Sequence, residues 1–382
     1  MGRAKGAIAR GAVALLCVLI AGTSSLRADT TSERSSSILI FPKVMAITDG
    51  IHPTVDTVIQ ISNTSNSMVY AHCVYLNGAP LDPRFPPGAQ NPPQCQEVDF
   101  TIFLTKQQPT HWVVSTGRRV EPSPTCNLNF SACDGAGIDP GAIPPMGDYF
   151  TGELRCVEVD SSGAPINGNH LKGEATIVVP DGDASKYNAV GLMGLNTGAS
   201  SNNSDSTLCV GGGLSGDCPT GAEYNACPQT LILNQYAADA SNPVIDELGG
   251  PNSAVRTELT LVPCTQDFEN QVPGRGIVQF LIINEFEQLF STSTTVTCWG
   301  NLDLSSRLYA SFNAIFNEDF LGSRFAQTRM TPADPTQSGF VGVAEEFHVV
   351  PPGSPNFTRA AANLHGEGQR PSGDIIRLQG GF

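Results

Sequence analysis

Charged residues are scarce in this 382-residue chain, and so are long apolar runs. Asp, Glu, Lys and Arg make up 15% of the residues, a level too low for a coiled coil or a charged disordered chain. No stretch approaches the 18 apolar residues of a membrane-spanning helix, so we expect no membrane span. The 21 basic residues face 36 acidic ones, which gives a net charge of −15. An acidic chain repels phosphate backbones, and this argues against nucleic-acid partners.

The sequence also lacks the short motifs that carry much hydrolytic and nucleotide chemistry. It contains no G-x-S-x-G, no H-E-x-x-H and no phosphate-binding glycine loop, which argues against α/β-hydrolases, zinc proteases and nucleotide-binding enzymes. Its six histidines are scattered, without the close spacing of metal ligands. We therefore expect no catalytic constellation, no metal centre and no cofactor.

The first 28 residues have the three-part pattern of a secretory signal peptide. Arg3, Lys5 and Arg10 form a basic start, residues 11–22 are apolar, and a short polar stretch ends at Ala28. An apolar helix of this length spans about 18 Å, which is too short for about 30 Å of hydrocarbon, so a membrane anchor is the weaker alternative. The pattern predicts cleavage after Ala28 and a secreted or periplasmic protein.

Ten cysteines lie beyond this leader, and an even number in an exported protein favours disulfides. The alternative is a metal site, but no two cysteines have the C-x₂-C spacing of structural zinc sites. The sequence leaves many pairings open: Cys126–Cys133 would close a small loop, Cys264–Cys298 would tie two strands together, and Cys73–Cys95 would anchor a proline-rich loop. The ten candidates are Cys73, Cys95, Cys126, Cys133, Cys156, Cys209, Cys218, Cys227, Cys264 and Cys298.

Short apolar or alternating stretches, separated by Gly, Pro and Asn turns, predict many β-strands. Residues 304–320 fit either a helical face or a strand, and we favour a strand because the neighbouring segments are strand-like. The other predicted strands lie at residues 58–61, 68–76, 97–104, 112–115, 152–159, 173–179, 231–233, 257–262, 278–283, 294–299, 341–350 and 374–379.

This pattern predicts an all-β fold of two disulfide-stapled β-sandwich domains with long irregular loops. The first domain would span residues 29–185 and the second residues 229–382. Residues 186–228, rich in Gly, Ser, Asn and Cys, would form a linker or insertion. A similar apolar-x-apolar-x-Asn strand precedes both Cys73 and Cys298, as two related domains would show.

The hairpin at residues 56–77 resembles the opening of immunoglobulin-like domains in exported bacterial proteins. The segments at 104–112 (LTKQQPTHW), 169–174 (NHLKGE) and 284–288 (NEFEQ) are similar to segments of uncharacterised bacterial secreted proteins. The resemblance covers most of the chain after the leader and implies immunoglobulin-like sandwiches. It implies no activity and no site residue, since none is known for those proteins.

Two places are candidate ligand sites. Asp181 and Asp183 resemble the start of a calcium loop, but the glycine and the bidentate glutamate of an EF-hand are missing, so we favour a solvated turn. Trp112, beside His111, could stack on a sugar ring, because a sugar presents an apolar face. Two valines follow Trp112, and they favour the alternative that its indole lies in the core.

Two further pairs of residues are candidates for a catalytic or metal-binding role. His170 and Glu174 would share a face only in a helix, and the glycines around them favour a loop that leads into a strand. Glu285 and Glu287 would point to one face of an extended strand, with a spacing that glycosidases can use. Such carboxylate pairs are common on solvated strands, so we favour the structural interpretation for both.

The sequence therefore predicts an exported, non-catalytic protein with a structural or interaction role and an unidentified protein or glycan partner. The alternative is a carbohydrate-binding or carbohydrate-processing protein that would use Trp112 and acidic loops.

Overall fold

The computed structural model describes residues 33–85, 90–120, 138–180, 183–195, 205–237, 254–304, 313–349 and 357–379. Of the described residues, 57% lie in strands and 2% in helix, which confirms the all-β class. No helix in these ranges is long and apolar enough to cross a membrane. The predicted leader, Cys126, Cys133 and Asp181 lie outside the described residues.

The described part of residues 33–210 contributes ten strands. They are β1 (Ile38–Ile47), β2 (Asp56–Asn63), β3 (Val69–Asn77), β4 (Gln96–Leu104), β5 (Pro109–Val113), β6 (Tyr149–Val159), β7 (Leu171–Val178), β8 (Ala184–Asn188), β9 (Val190–Leu192) and β10 (Thr207–Val210).

Eleven more strands follow in the described residues, with one short α-helix, α1 (Glu318–Leu321), just after a 3-10 turn at Asn313–Phe316. The strands are β11 (Pro228–Tyr236), β12 (Ala254–Pro263), β13 (Gln266–Asp267), β14 (Arg275–Asn284), β15 (Leu289–Thr297), β16 (Gly300–Asp303), β17 (Phe325–Pro332), β18 (Phe340–Val349), β19 (Phe357–Asn363), β20 (His365–Gln369) and β21 (Asp374–Arg377).

These strands form five small sheets, organised as the blades of a five-bladed β-propeller. We call β4-β3-β6-β1-β9 the central sheet and β5-β2-β7-β8 the polar sheet. The other three have the orders β10-β21-β13, β16-β12-β18-β19 and β15-β14-β17-β11-β20. Successive strands often lie in different sheets, so each blade is assembled from separated stretches of sequence.

The prediction of two immunoglobulin-like sandwich domains is wrong. A sandwich strand turns one face to the core and the other to solvent, whereas β1 and β6 of the central sheet are buried on both faces along almost their whole length. Phe41 packs in a core shared with the polar sheet, and Ile40 packs in a second core with Val341 of β18. Strands β1–β10 and strands β11–β21, which we call the two halves of the chain, therefore share a core. The residue boundaries set at 185 and 229 stay a prediction.

The structure confirms disulfide bonding but not the suggested pairs. Cys73–Cys95 and Cys264–Cys298 are both wrong. Cys73 and Cys156 lie opposite each other on the neighbouring strands β3 and β6, an adjacency that sequence spacing does not reveal. The four disulfides of the described residues are Cys73–Cys156, Cys95–Cys298, Cys209–Cys218 and Cys227–Cys264.

Every predicted strand range overlaps an observed strand, except 304–320. The described part of that segment contains the 3-10 turn and α1, so the strand interpretation is wrong there. Asn317 caps α1, since its side-chain oxygen accepts a hydrogen bond from the amide of Asp319 at 2.9 Å. β1 was not predicted, because a strand buried on both faces shows no alternation.

Candidate functional site

The outer face of the polar sheet follows directly from the two-residue period of its strands. In β2, Ile59 and Ile61 are buried while Gln60 between them is exposed. In β5, Trp112 is buried and His111 is exposed. Because alternate side chains point to opposite faces of a strand, the polar residues of both strands are collected on the outer face.

A groove of about 420 Å³ runs across this face, and we call it the polar groove. Its axis is a row of cross-strand neighbours: Gln60 lies opposite His111 on one side and opposite Glu174 on the other. The lining residues are Gln60, Ser62, Thr64, Pro109, Thr110, His111, Lys172 and Glu174.

His111 also borders a second cavity, of about 570 Å³, on the far side of β5. Arg118 and Arg119 line that cavity. The Arg118 guanidinium forms a bidentate pair with Asp139, with nitrogen–oxygen distances of 2.7 and 2.9 Å. Such planar pairs fix the position of the side chain. His111 therefore stands between a groove of mixed polarity and a cavity with basic groups.

The polar groove offers hydrogen-bond donors and acceptors of several kinds. Lys172 supplies an ammonium, Gln60 an amide, Ser62 a hydroxyl, and His111 an imidazole that can donate or accept. The Glu174 carboxylate pairs with Lys186 of β8, so it is held at the groove wall. This set suits a polar ligand that both donates and accepts hydrogen bonds.

Trp112 does not contribute an aromatic surface to this site. Its side chain is 2% exposed, and its indole N–H donates to the Tyr75 hydroxyl at 2.6 Å. Phe100 packs edge-on against it, with 5.9 Å between ring centroids. Burial raises the pKa of Tyr75, so this hydroxyl stays neutral and can accept the bond. The structure places the indole in the core, as the two following valines suggest.

The calcium-loop candidates are only partly described. Asp183 lies just before β8, and its Oδ1 accepts a hydrogen bond from the amide of Ala184 at 3.0 Å. Asp160, another acidic residue in a turn of the first half, accepts hydrogen bonds from Ser162 and Ala164 of its own turn. These contacts are those of ordinary turns. The expectation of no calcium effect remains a prediction.

His170 has a different partner from the one its sequence neighbourhood suggests. Its Nδ1 lies 2.7 Å from Oε1 of Glu158, a carboxylate whose side chain is 1% exposed. The backbone amide of His170 donates to the other carboxylate oxygen at 3.0 Å. Burial raises the pKa of Glu158. Glu174 instead faces the polar groove, so the helical pairing does not occur.

Glu285 and Glu287 do not lie on an extended strand. They belong to the turn between β14 and β15, where Glu287 has a φ of +62°. Glu285 accepts a hydrogen bond from the Ser323 hydroxyl at 2.6 Å. The alternation argument that would place both carboxylates on one face therefore does not apply.

A charge cluster lies in the interior, where the two halves of the chain meet. Lys43 of β1 is 1% exposed, and its Nζ lies 2.7 Å from Glu258 and 2.6 Å from Glu345. Burial alone would lower the pKa of Lys43, but the two carboxylates outweigh it and raise the pKa. Arg359 also pairs with Glu345, at 2.5 Å. The second half of the chain supplies both carboxylate partners of Lys43, while Ser185 of the first half donates to Glu345 at 2.7 Å.

A second internal cluster joins the same two halves. Arg155 of β6 donates to the Cys264 carbonyl at 2.7 Å and to the Pro263 carbonyl. Its Nε also donates to Glu153 at 3.0 Å, and the Glu153 carboxylate accepts from Gln266 at 3.2 Å. Each of these side chains is satisfied by another residue of the protein. Neither cluster was predictable from sequence patterns, because each joins strands that are far apart along the chain.

One group of potential metal ligands occurs in the described part of the chain: Cys227, Cys264 and Asp374. The two cysteines are bonded to each other as a disulfide. Metal binding by cysteine requires the thiolate, so this group does not form a metal site in the oxidised protein.

No protein-family model matches the chain, and no curated protein sequence matches it. Among solved structures, a chain from the naturally occurring empty particles of cowpea mosaic virus is 9% identical, over 95% of this chain and 99% of that one, with a TM-score of 0.13. A TM-score this low carries no argument, so function has to be argued from the site.

Proposed function

We propose that this chain is an exported, disulfide-stabilised interaction protein without catalytic activity, and that its partner binds at the polar groove. The observation that carries the proposal is the outward-facing row formed by exposed His111 and Gln60 and partly exposed Glu174, on a sheet whose other face is anchored in the core. Binding surfaces are more specific when rigid elements present them.

Export is supported by two independent features. The first 28 residues read as a cleavable signal peptide, and four disulfides bridge eight of the described cysteines. Disulfides persist in oxidising compartments and are rare in reducing ones.

A non-catalytic role is supported by where the charges lie. Catalytic acids and bases need access to a substrate. Two charge clusters, around Lys43 and around Arg155, are enclosed and face their own protein partners. Their arrangement suits the joining of the two halves rather than chemistry.

The proposal is tested by replacing His111 with a photo-crosslinking amino acid in cells that export the protein. We expect light-dependent adducts from this position. The matched control is the same replacement at Leu214, which is 77% exposed and is not among the groove residues, and we expect no such adduct there. Absence of an adduct at position 111, or equal adducts at both positions, would overturn the proposal.

Carbohydrate binding is the second candidate, favoured by the mixture of amide, hydroxyl, ammonium and carboxylate groups in one groove. Sugar hydroxyls both donate and accept hydrogen bonds, as this lining does. A glycan array probed with the wild-type protein and with Gln60→Ala tests this candidate. Binding to a defined glycan that Gln60→Ala abolishes would establish it. No glycan signal, together with a protein adduct at position 111, would leave a protein partner.

A further inference from the structure

The edge strand β15 differs from the other sheet edges of the described residues. It spans nine residues, Leu289–Thr297, and pairs with β14 in unbroken antiparallel register. Its sequence, LFSTSTTVT, contains no charged residue, no proline and no glycine. At about 3.4 Å per residue it presents roughly 30 Å of regular strand edge.

Natural sheets protect their edges with charges, prolines, bulges or very short strands, because a free edge can pair with another strand. The other described edges follow this rule. Four of them are no longer than four residues: β9, β10, β13 and β16. The rest carry a charge or a proline: Glu97 and Asp99 in β4, Pro109 in β5, Lys186 in β8, Arg359 in β19 and Glu367 in β20. β15 alone among these edges has neither protection.

The edge of β15 is also accessible. Leu289 is 65% exposed, and Ser291, Ser293 and Thr295 are exposed as well. Within the described ranges, the backbone of residues 289–296 is paired with β14 and with no other strand. Thr, Val and Phe favour extended structure, so this edge is already in the conformation that strand pairing requires.

We propose that β15 pairs antiparallel with β15 of a second copy of this chain, so that the two sheets continue into each other across a two-fold axis. This inference does not depend on the polar groove, which lies on a different sheet. Pairing an edge with its own copy is self-complementary, as a two-fold interface requires. Ser and Thr side chains across such a pair stabilise it by forming hydrogen bonds.

The charges around the strand favour a second copy in antiparallel orientation. The turn before β15 holds exposed Glu285 and Glu287, and exposed Arg275 lies opposite Thr297 at the other end. Antiparallel pairing brings the acidic turn of one copy to the Arg275 end of the other. Parallel pairing would place the two acidic turns side by side, which like charges disfavour.

The net charge of the chain also favours association through the uncharged strand β15. The chain carries a net charge of −15, so most approaches of two copies bring carboxylates together. An uncharged strip about 30 Å long lets backbone groups pair without that repulsion.

Sedimentation velocity of the full mature chain over a range of concentrations tests the proposal. We expect the wild type to shift from one copy to two as concentration rises. Ser293→Lys places like charges near the two-fold axis and should keep the protein monomeric. His365→Lys, which adds the same charge at the exposed start of β20, the opposite edge of the same sheet, should behave like the wild type. Wild-type protein that stays monomeric, or Ser293→Lys that associates like the wild type, would overturn the proposal.

A charge exchange tests the orientation and guards against misfolded variants. Arg275→Glu should weaken association, and so should Glu287→Arg, since each brings like charges together across the interface. The double variant should restore it. If the double variant associates no better than the single variants, the antiparallel pairing is wrong.

Discussion

Lys43 shows how one residue can join two halves of a chain. It follows Pro42 at an irregularity in β1, where the pairing with β6 shifts between Phe41 and Val44, and this bulge lets its side chain leave the regular alternation. Burial alone would raise the pKa of Glu258, but Lys43 and Arg256 outweigh it and lower the pKa to about 2. The ion pair therefore stays charged although it is enclosed.

Removing Lys43 should be costly, because two buried carboxylates lose their counter-charge. We expect Lys43→Met to lower the free energy of unfolding by about 3–5 kcal/mol at pH 7, measured by urea denaturation. The loss should shrink on acidification. Because the folded state lowers the pKa of Glu258 from 4.5 to about 2, Glu258 stabilises the fold at a pH above 4.5. This contribution is lost as the pH falls towards 2. Lys106→Met, at an exposed turn, should change stability little. An equally small effect at position 43 would contradict this account.

At neutral pH the Glu97 carboxyl should lower the free energy of unfolding. Burial, together with Asp267 and Asp99, raises its pKa to about 7. For a carboxyl whose pKa is raised in the folded state, the free energy of unfolding falls as the pH rises from about 4.5 to 7. Glu97→Gln removes this effect, so its melting temperature should exceed that of the wild type at pH 8 and match it at pH 4. Glu269→Gln, at an exposed carboxylate, is the control. A destabilised Glu97→Gln protein at pH 8 would show that the charged form is favoured.

At the scale of the strand, burial on one face or on two decided what the sequence could predict. Strands with one solvated face, such as β2 and β7, alternate clearly and were identified. β1 was missed, because both of its faces are buried and its sequence is apolar except for Lys43. An apolar run of this kind shows no alternation. Of the candidate site, the exposure of His111 beside buried Trp112 follows from alternation. Its neighbours Gln60 and Glu174 depend on strand pairing, which no local pattern reveals.

Close packing between sheets can be tested at Gly173 of β7. A Cβ at this position would lie 2.5 Å from Cζ of Phe41, a fully buried ring. We expect Gly173→Val to cost about 1–3 kcal/mol in stability, because the polar sheet must move away from the central sheet. Gly147→Val, where a Cβ would have no neighbour within 4 Å, should cost much less when both are measured by urea denaturation. Equal costs would show that the contact between these sheets is loose.

At the scale of the whole molecule, the two halves are joined by contacts of three kinds. Cys95–Cys298 bridges residues 203 positions apart. The Lys43 and Arg155 clusters add ion pairs and hydrogen bonds across the same boundary. Apolar side chains from both halves share one core. None of these connections was predictable, because each depends on which distant strands become neighbours.

We expect the described sheets to form one cooperative body that presents the polar groove as a rigid surface. Differential scanning calorimetry of the mature, disulfide-intact protein is the decisive test. A single cooperative unit gives one transition whose calorimetric enthalpy equals its van't Hoff enthalpy. We predict that the calorimetric and van't Hoff enthalpies are equal. Two separate transitions, or a calorimetric enthalpy about twice the van't Hoff value, would show that the halves unfold independently and would contradict it.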